Sequence, residues 1–179
     1  MKKRLFIAFE LPNGIKDKLK LIPQNNLRVV PSENIHITLL FIGYTDEENI
    51  TEINKVLNKV AVEQKPFRIK FKEMIFAPPN QQCRMIWALF EKSIEFEKLS
   101  NQLAGELKEF NPDFRKEKLV HITLARFRKP LSKKELEYIK LPDNLIEDIK
   151  IEKITLFESI LKQGGPIYTK LYEAPFLRN

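Results

Sequence analysis

The peptide His-Ile-Thr-Leu occurs twice in the chain, at residues 36–39 and 121–124, and the sequence contains no other histidine. Both copies lie in apolar stretches, Ile35–Ile42 and Val120–Leu124, that have the composition of buried β-strands. Coincidence is a poor explanation for two histidines followed by the same three residues. The repeat therefore indicates an internal duplication, in which each half of the chain contributes one such strand.

The rest of the sequence supports a duplicated arrangement of strands and helices. Apolar runs bounded by turn residues predict strands at Arg4–Glu10, Leu27–Val30, Ile35–Ile42, Phe67–Phe71, Met85–Phe90, Ile149–Phe157 and Ile167–Tyr172. Apolar residues at helical spacing predict helices around Ile15, Leu19 and Ile22, from near Asp46 through Val60, and from Phe96 through Phe110. Ser132 and Glu135 have the spacing of a capping box, which predicts a short helix. These elements predict one domain, residues 1–179, built from two similar α+β lobes.

The composition limits where such a protein acts and what it binds. A single cysteine, Cys83, excludes an internal disulfide and metal clusters built on thiolates, so we expect a cytoplasmic setting. The short apolar run at the N-terminus ends at Glu10 and Pro12, so it predicts a first strand and not a signal peptide, and we expect no membrane association. The net charge of +7 and the pI near 9.4 favour an anionic partner. Basic residues cluster around the second copy: Arg115, Lys116, Lys118, Arg126, Arg128, Lys129, Lys133 and Lys134.

The repeated peptide places two polar groups on one face of each strand. Because side chains alternate along a strand, the histidine and the threonine of each copy point together, and the aliphatic residues point to the core. In the first copy, strict alternation assigns Leu39 and Phe41 to the core side. If an approximate two-fold axis relates the lobes, both pairs, His36 with Thr38 and His121 with Thr123, converge on one cleft.

Two imidazoles and two hydroxyls suit a reaction at a phosphodiester. One neutral histidine can accept a proton while a protonated partner donates one, and displacement at phosphorus requires a base and an acid on opposite sides. Threonine hydroxyls can donate to phosphate oxygens without adding negative charge. The sequence has no ligand spacing typical of a metal site, so we expect no metal and no cofactor.

The sequence also predicts where further residues in or near these strands lie. Strict alternation points Arg126 away from the face of His121, whereas a kink in the strand would return its guanidinium to the phosphate. Tyr44, just after Gly43, is a candidate for stacking on a base. Trp87 lies within an apolar strand and is expected in the core, as are Phe6 and Phe9, and Cys83 is expected to be an inert buried thiol.

The motifs of this chain resemble those of the RNA 2′,3′-cyclic phosphodiesterases, formerly called 2′-5′ RNA ligases, within the two-histidine phosphoesterases. The resemblance extends over nearly the whole chain through RLFIAFELP, NIHITLLFIG, VHITLARF and LFESILKQGGPIYTKLYE. It implies an α+β, bilobal fold with two pseudo-two-fold-related antiparallel β-sheet lobes, outer helices and a central cleft. Two positions depart from the usual pattern: Val120, where many relatives have proline, and Leu40, where many have a basic residue that would face the substrate path.

The resemblance also implies a reaction and a role for each candidate residue. The reaction is metal-free hydrolysis of an RNA 2′,3′-cyclic phosphate to a 2′-phosphate. His36 would protonate the leaving 3′ oxygen and His121 would activate water. Thr38, Thr123 and Arg126 would hold the phosphate. The partner implied is RNA or a nucleotide with a cyclic phosphate, and no obligate protein partner. Two alternatives stay open: an RNA- or nucleotide-binding module without turnover, and reversible 2′-5′ ligation in the same site.

Overall fold

The computed structural model describes residues 1–12, 27–79, 81–110, 114–141, 146–163 and 165–177. The helix predicted around Ile15, Leu19 and Ile22 lies outside these residues. The described strands are β1 (Lys2–Glu10), β2 (Leu27–Val29), β3 (His36–Asp46), β4 (Phe67–Ile69), β5 (Phe71–Ala77), β6 (Cys83–Phe90), β7 (Arg115–Lys116), β8 (His121–Leu131), β9 (Ile149–Ile151), β10 (Lys153–Lys162) and β11 (Gly165–Pro175). The described α-helices are α1 (Ile50–Ala61), α2 (Ile94–Glu106) and α3 (Lys133–Leu136).

The main sheet has the symmetry that the repeated peptide predicts. Its strand order is β11-β10-β1-β3-β8-β6-β5, and its strand pairs are antiparallel. The strands that carry the two copies, β3 and β8, are neighbours at the centre. Outward from the centre, β3-β1-β10 on one side corresponds to β8-β6-β5 on the other. The α+β fold with two sheet lobes is as predicted, and the two lobes share one continuous sheet.

Each lobe is completed by strands from the other half of the chain. Strand β5 follows the first copy in sequence but pairs with β6 of the second lobe, and β10 follows the second copy but pairs with β1 of the first. The short strands are exchanged in the same way, since β2 pairs with β8 and β7 pairs with β3. The lobes are therefore interlocked.

The exchange also explains two strands that the sequence analysis joined wrongly. The apolar runs at Phe67–Phe71 and Ile149–Phe157 were each predicted as one strand, and each is divided in the structure. The first parts, β4 and β9, pair with each other in a separate two-stranded sheet, and the second parts, β5 and β10, enter opposite ends of the main sheet. The apolar residues within each segment do not indicate that the chain changes sheets.

The helices and the hydrophobic core lie on one face of the main sheet. Helix α1 buries Ile53, Leu57 and Val60 in this core. Helix α2 begins after Ser93, whose hydroxyl accepts a hydrogen bond of 3.1 Å from the backbone N–H of Phe96, as an N-cap does. Helix α2 ends at Glu106, short of the predicted end at Phe110. No helix among the described residues is long and apolar enough to cross a membrane.

The opposite face of the sheet is covered by a smaller aromatic cluster in the first lobe. Along β1, Leu5, Ile7 and Phe9 pack into the main core, whereas Phe6 packs on the other face against Phe157. The rings of this second pair are stacked with centroids 5.2 Å apart. Phe6 and Phe9 are buried as expected, and the Phe6 cluster forms part of the face on which the histidines lie.

Candidate active site

The histidines and threonines of the two copies lie together at the centre of the sheet. The two strands meet through the pair formed by Ile37 and Ile122, whose side chains are fully buried in the core. The polar residues on either side of these isoleucines therefore point to the opposite face. Because the strands are antiparallel, each histidine lies beside the threonine of the other copy. The strands are thus adjacent in one sheet, and the site lies on their shared face instead of between two facing walls.

A β-bulge in each strand changes which residues share this face. Leu39 is passed over in the register between β1 and β3, and Leu124 is passed over in the register between β6 and β8. One extra residue reverses the alternation beyond it. Phe41 and Arg126, each five residues after its histidine, consequently return to the histidine side.

The bulges determine where three residues lie relative to the expectations from alternation and from the resemblance. Phe41 lines the cavity on the histidine face and does not belong to the core row. Arg126 also lines that cavity, as the resemblance implied, whereas alternation pointed it away. Leu40 is fully buried, so its apolar side chain does not alter the path of a substrate.

A cavity of about 470 Å³ covers these groups. It is lined by Arg28, Val29, Val30, Pro31, Asn34, His36, Thr38, Phe41, Met85, Trp87, Glu117, His121, Thr123, Arg126, Gly165, Pro166 and Tyr168. All five residues predicted for the site therefore share one cavity. Another cavity of the same volume is lined by no histidine among the described residues, and its Lys153 is paired with Glu10, so it offers less for catalysis.

Both imidazoles are oriented in the same way by the backbone. Nδ1 of His36 lies 2.7 Å from the carbonyl oxygen of Asn34, and Nδ1 of His121 lies 3.0 Å from that of Leu119. A carbonyl only accepts, so Nδ1 carries the proton in both rings and donates it. Nε2 is then the nitrogen available for proton transfer. In His36, Nε2 lies 3.0 Å from Oγ1 of Thr38, which donates to it while the ring is neutral.

Aromatic rings surround His36 and suppress its charge. The ring centroids of Phe6, Tyr168 and Phe157 lie 5.0, 5.1 and 6.3 Å from that of the imidazole. Burial lowers the pKa of His36 from 6.5 to about 4; the hydrogen bond to Asn34 opposes this shift, and repulsion from His121 adds to it. In the unliganded protein His36 is neutral at pH 7.

His121 has a different aromatic neighbour. Its ring stacks on Trp87, with centroids 3.9 Å apart and an angle of 25° between the planes. The register explains the contact, since Trp87 is paired with Thr123 on the neighbouring strand and is diagonal to the histidine. Trp87 was predicted in the core, and that prediction was wrong because its neighbours Ile86 and Ala88 face the core, so that alternation along β6 places Trp87 on the cavity face. Tyr44, the predicted stacking residue, is exposed and is not among the residues that line the cavity.

Other residues at the cavity were not anticipated from the sequence. Arg28 on β2 is paired with Arg126 on β8, and the guanidinium of Arg126 donates to Sδ of Met85 at 3.0 Å. Tyr168 reaches the cavity from β11, and burial raises the pKa of its hydroxyl, which therefore stays protonated at neutral pH. These residues come from strands exchanged between the halves or remote in sequence, so no local spacing connects them to the histidines.

The described residues contain no group of three or more histidine, cysteine or carboxylate side chains that could hold a metal ion. Among the described residues that line the cavity, Glu117 is the one carboxylate. Cys83 is buried, and burial raises the pKa of its thiol, as expected for an inert cysteine.

Comparison with known proteins identifies the family. The chain matches the family described as LigT like Phosphoesterase over residues 12–87 and 92–168, one segment in each half of the duplication. The RNA 2′,3′-cyclic phosphodiesterase of Archaeoglobus fulgidus is 29% identical over 175 residues, covering 94% of this chain and 97% of that protein. The enzyme of the same name from Methanocaldococcus jannaschii is 30% identical over 181 residues, covering 95% and 99%.

Solved structures give the same result for the fold. TT0787 of Thermus thermophilus superposes with a TM-score of 0.79 at 28% identity, covering 97% of both chains. LigT of E. coli in its apo form gives a TM-score of 0.77 at 21% identity, covering 99% of both chains.

Proposed function

The chain belongs to the LigT-like phosphoesterase family, and on that basis we propose that it hydrolyses RNA 2′,3′-cyclic phosphate ends to 2′-phosphomonoesters. The names of its relatives support the substrate class. The observation that carries the proposal is the orientation of the histidines: both rings donate Nδ1–H to the carbonyl two residues earlier, so both Nε2 atoms are available for proton transfer in one cavity.

The proposed step uses one histidine on each side of the phosphorus. Nε2 of His121 accepts a proton from water while the water oxygen forms a bond to phosphorus. The bond from phosphorus to the 3′ oxygen breaks, and Nε2 of His36 gives its proton to that oxygen. The products are a 3′-hydroxyl and a 2′-phosphomonoester, and a positioned acid and base each contribute about 10² to 10⁴-fold to such a reaction.

His36 requires the substrate in order to act as an acid. Its pKa of about 4 keeps the ring neutral in the free protein. A bound cyclic phosphate places a negative charge beside Nε2, and an opposite charge at this distance favours the imidazolium. The hydroxyl of Thr38, which donates to Nε2 in the neutral state, is then released to donate to a phosphate oxygen.

The remaining candidates hold the phosphate. Thr123 lies on the same face as Thr38, and Arg126 supplies a planar guanidinium suited to two phosphate oxygens. We further propose that residues 1–179 form one catalytic domain, because the interlocked lobes each contribute one histidine and one threonine.

A comparison of leaving groups tests the division of roles. A ribose 3′ oxygen is a poor leaving group and needs the acid, whereas a nitrophenolate leaves without one. We expect His36→Ala to lose far more activity on an RNA 2′,3′-cyclic phosphate than on a nitrophenyl phosphodiester, and His121→Ala to lose heavily on both. Rescue of His121→Ala by the better leaving group would reverse the assignment.

The same assay separates the alternative functions. A binding module without turnover would bind cyclic phosphate ends and release no 2′-phosphate, with or without His36. Reversible ligation would join a 2′,3′-cyclic phosphate end to a 5′-hydroxyl end in the same active site. Wild-type release of 2′-phosphate ends, lost in the histidine variants, supports hydrolysis.

A further inference from the structure

Arg28 is a second arginine at the cavity, beside the arginine already assigned to the phosphate. It lies on β2, directly opposite Arg126 on β8. Within the described ranges, no carboxylate lies within ion-pair distance of its guanidinium. A guanidinium that faces a cavity without such a partner is suited to an anionic ligand, above all to a phosphate that accepts two of its hydrogen bonds.

The side chain of Arg28 reaches across the cavity to the other lobe. A Cβ atom on Gly165, the first residue of β11, would lie 2.9 Å from Nη2 of Arg28, so the guanidinium lies close against the backbone of Gly165. The backbone at Gly165 has a φ of +119°, which other residues rarely adopt. The structure therefore places the guanidinium at the end of the cavity formed by Gly165 and Pro166.

This position is displaced from the reacting phosphate. Arg126 comes five positions after His121 and three after Thr123 along β8, and one of the intervening residues is the bulge. The row containing Arg28 therefore lies roughly 13 Å along the strand from the row of His121, and roughly 7 Å from the row of Thr123, which lies beside His36. The guanidinium of Arg126 contacts Met85, its cross-strand neighbour on β6. The cavity thus has a catalytic end with two histidines and a cationic end at Arg28.

An RNA end carries phosphates that match this separation of roles. The terminal nucleotide has the cyclic phosphate on its 2′ and 3′ oxygens and is joined to the chain through a phosphodiester on its 5′ oxygen. We propose that Arg28 binds this 5′ phosphate, so that the enzyme favours an RNA end over a free nucleoside 2′,3′-cyclic phosphate. The inference rests on the function proposed above.

Matched substrates and variants test the role of Arg28. The kinetic readout is kcat/KM on a dinucleotide ending in a 2′,3′-cyclic phosphate, divided by kcat/KM on adenosine 2′,3′-cyclic phosphate. Loss of a charge-assisted hydrogen bond should lower this ratio about tenfold or more in Arg28→Ala. Arg28→Lys should retain part of it. Arg68→Ala is the control, since it removes the same charge from an exposed position on β4 that does not line the cavity.

A binding measurement tests the role of Arg28 without requiring turnover. Trp87, the single tryptophan, lines the cavity and reports ligand binding by fluorescence. We expect adenosine 2′,5′-bisphosphate to bind more tightly than adenosine 2′-phosphate, and Arg28→Ala to remove most of that preference. If the wild type shows the preference but releases no 2′-phosphate from either substrate, the hydrolytic proposal fails and the role of Arg28 stands. If turnover occurs and Arg28→Ala changes neither ratio, the role of Arg28 is refuted and the hydrolytic proposal stands.

Discussion

The half-buried, neutral His36 should make the folded protein sensitive to acid, and His36→Gln should reduce that sensitivity. The pKa of His36 is lowered to about 4 in the folded state, against 6.5 for an unperturbed histidine. Between these values the unfolded chain binds the proton and the folded protein does not, so stability falls as the pH is lowered from 7.5 to 4. The unfolded chain has taken up half of this proton at pH 6.5, so most of the loss in stability occurs below that pH, and above pH 7.5 the contribution is negligible.

The size of the effect follows from the shift. At pH 5 the histidine contributes a loss of about 2 kcal/mol in the free energy of unfolding relative to pH 7.5, from 1.36 kcal/mol per pKa unit. Urea unfolding at the two pH values, followed by circular dichroism, measures this loss in the wild type and in His36→Gln. The variant should lose about 2 kcal/mol less than the wild type. Carboxylates and other groups contribute equally to both proteins and cancel in the difference.

His121→Gln is the matched control, because it removes the other histidine of the repeated motif and leaves His36 in place. Its loss of stability should therefore still include the contribution of about 2 kcal/mol from His36. Equal losses in the wild type and in His36→Gln would show that His36 titrates normally in the folded state. The aromatic rings around it would then not suppress its charge.

Three further outcomes test the proposed mechanism. Replacement of Arg126 by alanine should lower RNA affinity and kcat/KM and flatten the salt dependence of binding, and the control Arg128→Ala should show smaller changes in all three. An unchanged kcat/KM in Arg126→Ala would show that Arg126 does not bind the phosphate. The pH profile of kcat/KM should be bell-shaped with an acid limb near pH 4. In the profile of kcat this limb should lie at higher pH, because the bound phosphate raises the pKa of His36. A monotonic rise from pH 5 to 9 would contradict the two-histidine scheme. Activity should persist in excess chelator, and a loss restored by added divalent metal would refute metal-free chemistry.

The sequence predicted the parts of the site that depend on a single strand. The repeated peptide determines which polar residues accompany each histidine, because neighbours two residues apart share a face whatever the strand pairs with. The duplicated order of strands and helices was likewise predicted from patterns within single segments of the chain. Thr38 and Thr123 were accordingly placed on the faces of their histidines.

The predictions that failed concern features that depend on the neighbouring strand. The bulges at Leu39 and Leu124 exist only in the register with β1 and β6, and periodicity within one strand gives no sign of them. Phe41 was misplaced for this reason. Exchanged strands, such as the one that carries Arg28, contact residues that are distant in the sequence. Which residues meet in this way depends on the fold and on no local pattern.

The exchange of strands between the halves has a consequence for synthesis on the ribosome. Strand β1 is made first, but one of its two neighbours, β10, is made near the end, so that Leu5 pairs with Glu158. Until that segment leaves the ribosome, the backbone groups along one edge of β1 are unpaired. The apolar side chains of β1, which are buried in the folded protein, are then partly exposed to solvent. Pairings between such distant residues slow folding, because a long loop must close before they form. We expect nascent chains that lack β10 to remain protease-sensitive and to require protection from aggregation, and chains in which β10 has emerged from the ribosome to become resistant.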